Sequence, residues 1–198
     1  MGLCCGIPRK KHYDFQDYHE TFVFGQVAVH RVIHRSLQQV VKHSSSLAPE
    51  READFWRYVR LTRQFLEVHH KQEDEVIFAR SEERAKATLF AEESKEHQAL
   101  VETLARIEEL EHKGGVDSLA EMGTIAQKLV EIMEGDAGHL NREEKILTGE
   151  FFREHFAEKE VKQMSKDIHD MISREGMDRG VSLVFMIYHL TDEEKVFF

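Results

Sequence analysis

The sequence contains one arrangement of histidine and glutamate twice. The two copies are His30 with His69-x-x-x-Glu73, and His97 with His139-x-x-x-Glu143. In each copy about forty residues separate the first histidine from the second, and an acidic residue follows the glutamate. A spacing of four residues places two side chains on one face of an α-helix, so each pair predicts a helix that turns an imidazole and a carboxylate in one direction. Such a repeat favours a fold in which several helices direct these groups at a common point.

Hydrophobic periodicity predicts four long amphipathic helices. Their predicted bounds are Thr21–His43, Arg51–Arg80, Lys86–Lys113 and Asp117–Thr148. The chain has only two prolines, Pro8 and Pro49, and 32% of its residues are charged, which is typical of long solvated helices. Short loops, one of them marked by Gly114 and Gly115, join the helices. We therefore expect an all-α fold, an up-and-down antiparallel four-helix bundle with a C-terminal helical extension.

The chain divides into three predicted parts. Residues 1–14 form a leader, residues 15–150 form the bundle, and residues 151–198 form the helical extension. In the extension we expect a short amphipathic helix over 158–174 and a more apolar helix over 181–190. Thr191 and the three acidic residues after it indicate the start of one more helix. We expect the extension to pack on the bundle or to be able to leave it.

Composition excludes several classes of protein. The chain has 27 basic and 37 acidic residues, whereas a nucleic-acid binder needs a basic face. The longest apolar stretch, 181–190, is about half the length that a membrane-spanning helix needs. The first eleven residues lack the apolar region of a secretory signal. The only cysteines, Cys4 and Cys5, are adjacent and cannot build a disulfide framework, so we expect a cytoplasmic protein.

The four repeated histidines are each expected on the buried apolar stripe of their own helix. Their partners on the stripe are Val27, Ile33 and Leu37 for His30; Phe65, Leu66 and Val76 for His69; Phe90, Leu100, Val101 and Leu104 for His97; and Ile132, Ile146 and Leu147 for His139. A single histidine in such a place is usually a hydrogen-bonded core residue. The doubled motif is what distinguishes these four from ordinary core histidines.

A buried layer of four imidazoles and two carboxylates needs something to satisfy it. Each unsatisfied buried group costs about 1–3 kcal/mol, so six would cost on the order of 10 kcal/mol, comparable to the whole stability of a domain. Two divalent cations would satisfy the layer, with Glu73 and Glu143 as bridges. The absence of thiolates argues against structural zinc or an iron–sulfur cluster. Mixed imidazole and carboxylate ligands suit iron best, with manganese or zinc as alternatives.

The order of these motifs resembles the hemerythrin-like (His/His/Glu cation-binding) domains over residues 15–150. The pattern of that family is a histidine, then His-x-x-x-Glu, then a histidine, then His-x-x-x-Glu, one on each of four helices. The resemblance implies a non-haem diiron centre that binds dioxygen, nitric oxide or peroxide-type ligands. The oxygen-carrying members place a second histidine one turn before the third-helix ligand, where this chain has Glu93. That departure favours the sensing or iron-homeostasis members over simple oxygen carriers.

Several neighbouring residues compete for roles in this site. His34 lies one turn after His30, but alignment of the two half-motifs favours His30 as the ligand. His70 and Asp74 repeat the His-x-x-x-acid spacing, yet the helical wheel turns them toward Arg63 and Glu67, so we expect them at the surface or behind the ligands. Asp74 and Glu144, each next to a ligand glutamate, are candidates for orienting a neighbouring imidazole.

The first residues resemble a leader that carries two lipid chains. Gly2 would take myristate, Cys4 or Cys5 would take palmitate, and the basic residues 9–11 would lie against anionic lipid. One myristoyl chain binds a membrane only marginally, with a constant of about 10⁴ M⁻¹, so a second signal is required. The usual serine or threonine at the sixth position is replaced by Gly6. Acylation would place the protein on the cytosolic face of a membrane.

These observations predict a diiron-binding protein that senses or buffers dioxygen, nitric oxide or iron. A diiron oxidase or peroxide-decomposing enzyme using the same site is the first alternative. Since no separate general acid, general base or organic-substrate motif is present, we rank the binding protein above the enzyme. The second alternative is a metal-free helical adaptor tethered to a membrane.

Overall fold

The computed structural model describes residues 13–195, and all regular elements within them are helical. The α-helices in chain order are α1 (Tyr18–Ser44), α2 (Glu52–Gln72), α3 (Ala79–Ala85), α4 (Ala91–Lys113), α5 (Gly115–Met133), α6 (His139–Ile146), α7 (Gly149–His155), α8 (Glu158–Arg174), α9 (Arg179–His189) and α10 (Asp192–Lys195). A 3₁₀ turn, Pro49–Arg51, precedes α2, and a π-helical segment, Glu73–Phe78, joins α2 to α3. The prediction of an all-α helical bundle is confirmed.

Four long helices surround the main core. Helix α1 contacts α2 and α5, and α4 also contacts α2 and α5, which closes a ring of four neighbours. The apolar stripes of all four helices meet inside this ring. Among the buried residues of that core are Ile33, Leu37, Val59, Leu66, Leu104, Ile107, Met122 and Leu129. Their burial stabilises the bundle, and the two other apolar clusters extend the core toward the C-terminal helices.

The second predicted helix is longer and less regular than the sequence indicated. It continues beyond Arg80 to Ala85, and its hydrogen-bonding widens to a π-helix over Glu73–Phe78. The wider turns allow the consecutive residues 76–78 to be buried together, which a regular α-helical stripe does not favour. Helix α4 begins at Ala91 rather than at Lys86, because Lys86 has a left-handed conformation with φ of 54° and ends α3.

The fourth predicted helix is interrupted. Helix α5 ends at Met133, and α6 begins only at His139. Gly135 lies in the left-handed region at φ of 87°, and a side chain on Gly138 would clash with the backbone of Glu134, so both glycines are needed for the turn. The break starts a new helix at the histidine itself.

Two residues assigned to the buried stripes are in fact exposed. The predicted burial of Val101 and Ile132 is wrong, since 64% of the surface of Val101 and 48% of that of Ile132 are exposed. Val101 lies one position beyond the buried Leu100 on α4, at the edge of the stripe. Ile132 lies in the last turn of α5, just before the break at Gly135, and that break removes the continuous helical face on which the prediction relied.

The C-terminal helices lie against the bundle. Helix α8 has the predicted bounds and packs on α1 and α2, while α9 packs on α1. The Glu194 carboxylate of α10 accepts hydrogen bonds from Arg31 (2.8 Å) and Arg35 (2.6 Å) of α1. Arg35 also donates to the His189 carbonyl at 2.7 Å. These contacts hold the end of α9 and α10 onto α1.

We expect His189 to make this attachment sensitive to mild acid. Burial, together with the nearby Arg35 charge, lowers the pKa of His189 to about 4. The unfolded chain therefore takes up a proton on His189 near pH 6.5, before the folded chain does, and stability falls as the pH drops from about 6.5 to about 4. In metal-free protein, the free energy of unfolding in urea should fall more steeply over this interval for wild type than for His189→Gln, by up to about 1.4 kcal/mol per pH unit. Parallel curves for the two proteins would contradict this assignment.

Candidate metal centre

Seven polar side chains meet inside the bundle, and we call them the central layer. They are His30 on α1, His69 and His70 on α2, Glu73 at the start of the π-helical segment, His97 on α4, and His139 and Glu143 on α6. No member is more than 5% exposed to solvent. The layer thus contains all six residues that the repeated motif predicted, together with His70.

The Glu73 carboxylate lies between imidazoles from three helices. One oxygen, Oε1, is 3.3 Å from Nε2 of His30 and 3.3 Å from Nε2 of His69. The other oxygen, Oε2, is 3.7 Å from Nε2 of His97. The two oxygens therefore face two different sets of histidines.

Glu143 has the same arrangement from the opposite side of the layer. Its Oε2 lies 3.5 Å from Nε2 of His30, while its Oε1 lies 3.2 Å from Nε2 of His139 and 3.6 Å from Nε2 of His97. Both carboxylates thus place one oxygen beside a first set, which contains His30 and His69, and the other oxygen beside a second set, which contains His97 and His139.

The second set of histidines is crowded around one point. The Nε2 atoms of His97 and His139 are only 3.0 Å apart. The ring of His70 stacks on that of His97 with a centroid separation of 4.0 Å, and it meets the ring of His139 edge-on at 5.7 Å. Two imidazole nitrogens that face each other at this distance have one proton between them at most, or a shared cation.

Carboxylates behind the layer hold three of the imidazoles from their outer side. Nδ1 of His30 is 3.1 Å from Glu144, and Nδ1 of His139 is 2.7 Å from Glu96. Nδ1 of His97 lies 3.1 Å from Asp74. A carboxylate at Nδ1 fixes the ring orientation and leaves Nε2 to face inward, which is the usual arrangement behind a metal-bound histidine.

Arg142 extends this outer shell of charge. Its Nη2 donates to Glu96 at 2.7 Å, and its Nε donates to Glu93 at 2.9 Å. Glu93 is buried one turn before His97, at the position where the oxygen-carrying members of the resembled family have a second histidine. Its partner in this structure is Arg142, so Glu93 stands outside the central layer.

In the metal-free protein the layer divides its charge between protonated and neutral imidazoles. Burial alone would lower the pKa of His30, but the carboxylates of Glu144 and Glu73 outweigh it and raise the pKa to about 10. Burial likewise opposes protonation of His97, and there Asp74 is the main carboxylate that raises the pKa to about 9. Each set of histidines therefore contains one imidazole that takes a proton readily.

The other histidines of the layer and Glu143 favour their neutral forms. Burial, and next the positive charge of neighbouring histidines, lowers the pKa of His69 and of His70. Burial is also the main reason that the pKa of His139 is lowered. Burial and the nearby charge of Glu73 raise the pKa of Glu143. Protonation of two imidazoles therefore does not satisfy all of the buried polar groups in the layer.

Unpaired polar atoms are concentrated in the layer. Among the described residues, eleven buried side-chain nitrogen or oxygen atoms make no hydrogen bond of good geometry, and seven of them belong to His69, His70, Glu73, His97 and Glu143. The His97 atom among them is Nδ1, whose contact with Asp74 is an ion pair without hydrogen-bond geometry. Buried polar atoms in proteins are ordinarily satisfied, and leaving one unpaired costs about 1–3 kcal/mol. The donor set fits a metal, because imidazole nitrogens and carboxylate oxygens are what such a cation would bind.

The donor atoms also lie close enough together to share cations. Three groups have all their donor atoms within 4.8 Å of one another: His30 with His69 and Glu73; Glu73 with His97 and Glu143; and His70 with His97 and His139. Glu73 belongs to the first two groups and His97 to the last two. The chain of shared members connects the groups into one continuous site that can bind metal.

His70 is the member that sequence reasoning placed wrongly. We expected it near Arg63 and Glu67, at the surface or behind the ligands, but it is 5% exposed and lies among the ligand candidates. Helix α4 brings His97 against the His70 ring. A helical wheel of α2 alone cannot show this contact, because it contains no information about neighbouring helices. The adjacent pair His69-His70 was the only local signal.

Three neighbouring residues, His34, Asp74 and Glu144, lie outside the central layer. His34 lies outside the layer, with its Nε2 2.9 Å from Glu134 and its side chain 22% exposed, so His30 is the histidine of α1 that joins the site. Asp74 and Glu144 both lie beside imidazoles, as proposed for orienting residues.

The fold and the site together define a helical metal-binding protein, in which a bundle encloses a layer of histidines and glutamates. The sequence model of the hemerythrin HHE cation binding domain family matches residues 24–147, more than half of the chain. The chain belongs to this family. Comparisons with curated proteins and with solved structures found no match.

The predicted lipid attachment sites Gly2, Cys4 and Cys5 lie outside the described residues. Within residues 13–195, none of the helices combines the length and the apolar character needed to cross a bilayer.

Proposed function

We propose that this protein binds two iron ions in the central layer and uses them to sense or buffer dioxygen, nitric oxide or iron in the cytoplasm. The observation that supports two ions is the placement of Glu73 and Glu143. Each carboxylate turns one oxygen to the first set of histidines and the other oxygen to the second set. A carboxylate in that position is suited to bridging two cations.

The ligands follow from the two sets. His30 and His69 would hold the first ion, and His97 and His139 the second, with Glu73 and Glu143 shared between them. His70 lies beside the second set and would add a third imidazole there. Iron supplies a redox-active centre to which a small diatomic ligand binds.

The chain around the layer controls what reaches it. Glu144 and Glu96 hold His30 and His139 in the orientation that turns Nε2 inward. Phe78, which is 2% exposed, stacks on His97 with ring centroids 5.7 Å apart, so an apolar ring lies beside the layer. A dry site with preset imidazoles favours uncharged ligands such as dioxygen or nitric oxide over bulky substrates.

Metal analysis and visible spectroscopy test this proposal. Protein produced with added iron should contain about two irons per chain, and its visible spectrum should change when dioxygen or nitric oxide is added under otherwise anaerobic conditions. Uptake in proportion to the protein supports a sensor or buffer. Continuous consumption of dioxygen or peroxide would instead support the oxidase, and a colourless, iron-free protein would support the metal-free adaptor.

A further inference from the structure

Arg142 lies on α6, three residues after His139, and its side chain reaches across to α4. Its Nε donates to Glu93 at 2.9 Å, and its Nη2 donates to Glu96 at 2.7 Å. Its Nη1 donates to the Ala137 carbonyl at 2.6 Å, in the loop that precedes α6. The planar guanidinium presents these donors in a fixed geometry. One side chain therefore connects α4, α6 and the loop before α6.

The contact with Glu96 connects Arg142 to the central layer. A single oxygen, Oε2 of Glu96, accepts the hydrogen bond from Nη2 of Arg142 and lies 2.7 Å from Nδ1 of His139. The guanidinium thus fixes the oxygen that orients the His139 ring. In that orientation Nε2 of His139 is 3.0 Å from Nε2 of His97, inside the second set.

Helix α6 depends on such contacts for its position. It has only eight residues, it follows the break after Met133, and its N-cap residue, Gly138, provides no side-chain cap. Isolated helices of this length are unstable in water. The two hydrogen bonds from Arg142 to α4 lie outside the central layer, so they hold α6 in place without a bound cation.

The contact with Glu93 is a separate role of the same side chain. The Glu93 side chain is only 5% exposed, and a buried carboxylate that loses its partner is strongly destabilising. Neutralisation of Glu93 is purely structural, whereas the contact with Glu96 acts on a metal-ligand candidate. The two roles can be separated, because they use different nitrogen atoms of the guanidinium.

We propose that Arg142 is a positioning residue for the second cation, which it affects by fixing Glu96 and, through Glu96, the ring of His139. This inference rests on the proposed function, since it concerns a cation bound in the central layer. Groups behind a metal-bound histidine contribute about 10–100-fold to metal affinity. The network contains neither His30 nor His69, so the first cation should bind unchanged when Arg142 is replaced.

Titration with cobalt(II) tests the proposal. Cobalt(II) takes the same imidazole and carboxylate ligands as iron, and its visible absorption changes with the ligands around it. Wild type should bind two equivalents. Arg142→Gln should bind one of them about 10–100-fold more weakly and with an altered absorption. His70→Phe should weaken the same equivalent, because His70 lies beside the second set.

Lys145→Gln is the matched control. Lys145 is an exposed residue of the same helix, and it donates to the Asp136 carbonyl at 2.7 Å rather than to α4. The Lys145→Gln variant should therefore bind two equivalents of cobalt(II) with the affinities and the absorption of wild type.

Two further variants separate the two roles of Arg142. Glu93→Gln/Arg142→Gln leaves no unpaired carboxylate at position 93, so it should fold, but Glu96 still lacks its guanidinium donor. We expect its affinity for the second cation to be as low as that of Arg142→Gln. Arg142→Lys retains a cation that can reach one glutamate and should recover part of the affinity. Melting temperatures of the metal-free variants show whether each is folded.

Two results would overturn this role of Arg142. One is wild-type affinity in Glu93→Gln/Arg142→Gln, since Arg142 would then act only by neutralising Glu93. The other is equal affinity of wild type and Arg142→Gln for both equivalents, which would leave the two-cation site itself intact. A wild-type protein that binds neither cobalt(II) nor iron would instead contradict the proposed function, and this inference with it.

Discussion

Removal of the bound metal by a chelator is expected to lower the melting temperature by about 10 °C. In the metal-free protein, the central layer contains two buried carboxylates and seven buried polar atoms that make no hydrogen bond of good geometry. A ligand at a thousandfold excess over its dissociation constant stabilises the folded state by about 4 kcal/mol, and each kcal/mol shifts the melting temperature of a chain of this size by about 2–4 °C. Differential scanning calorimetry before and after chelation measures the effect.

Substitution of one ligand should imitate chelation. His69→Ala removes an imidazole from the first set, so the untreated variant should melt near the chelated wild type and should respond little to chelator. His112→Ala is the matched control, because His112 is exposed on α4 and lies outside the layer. If the chelated wild type melts at the same temperature as the loaded protein, the layer does not depend on metal for its stability.

Glu73→Gln should have the largest effect on metal content, reducing it from the proposed two ions per chain to nearly none. Glu73 faces both sets of histidines, and glutamine preserves its size while removing the charge and one of the two ligand oxygens. Glutamine cannot bridge two cations as a carboxylate does. The loss should therefore extend to both ions, although a single residue is changed.

Two comparisons make the Glu73 result specific. Glu75 is exposed and lies two residues after Glu73, so the Glu75→Gln variant should retain full metal content. His70→Phe should weaken only the second ion, because His70 contacts His97 and His139 and belongs to none of the groups that contain His30. Metal analysis by mass spectrometry distinguishes contents of two, one and zero. A Glu73→Gln protein that still binds two ions would refute the bridging role.

Much of the site could be predicted from local periodicity. The pairs His69–Glu73 and His139–Glu143 are each four residues apart, and a helix fixes their common direction without reference to any other part of the chain. Alignment of the two half-motifs favoured His30 over His34, and in the structure His30 is buried in the central layer whereas His34 lies outside it. The prediction of a short amphipathic helix over 158–174 was also correct, since its apolar pattern is regular.

Other features depend on how the helices pack. His70 enters the layer because α4 places His97 against its ring, and Glu96 reaches His139 from a helix more than forty residues away. The π-helical segment at Glu73–Phe78 and the break after Met133 set the rotation of the Glu73 side chain and the start of α6. The contacts of His70 and Glu96 and the π-helical segment have no strong signal in the sequence of their own segments, whereas Gly135 and Gly138 are a local signal for the break after Met133.

The sequence by itself determined the helical class of this protein, most of the buried stripes and the six residues of the repeated motif, because the helix repeat is a local property of the chain. Only the tertiary structure decided which oxygens face which histidines, which outer carboxylates orient the rings, and that a seventh side chain joins them. Those relations are distances between helices, and they arise from the packing of side chains that lie far apart in the sequence.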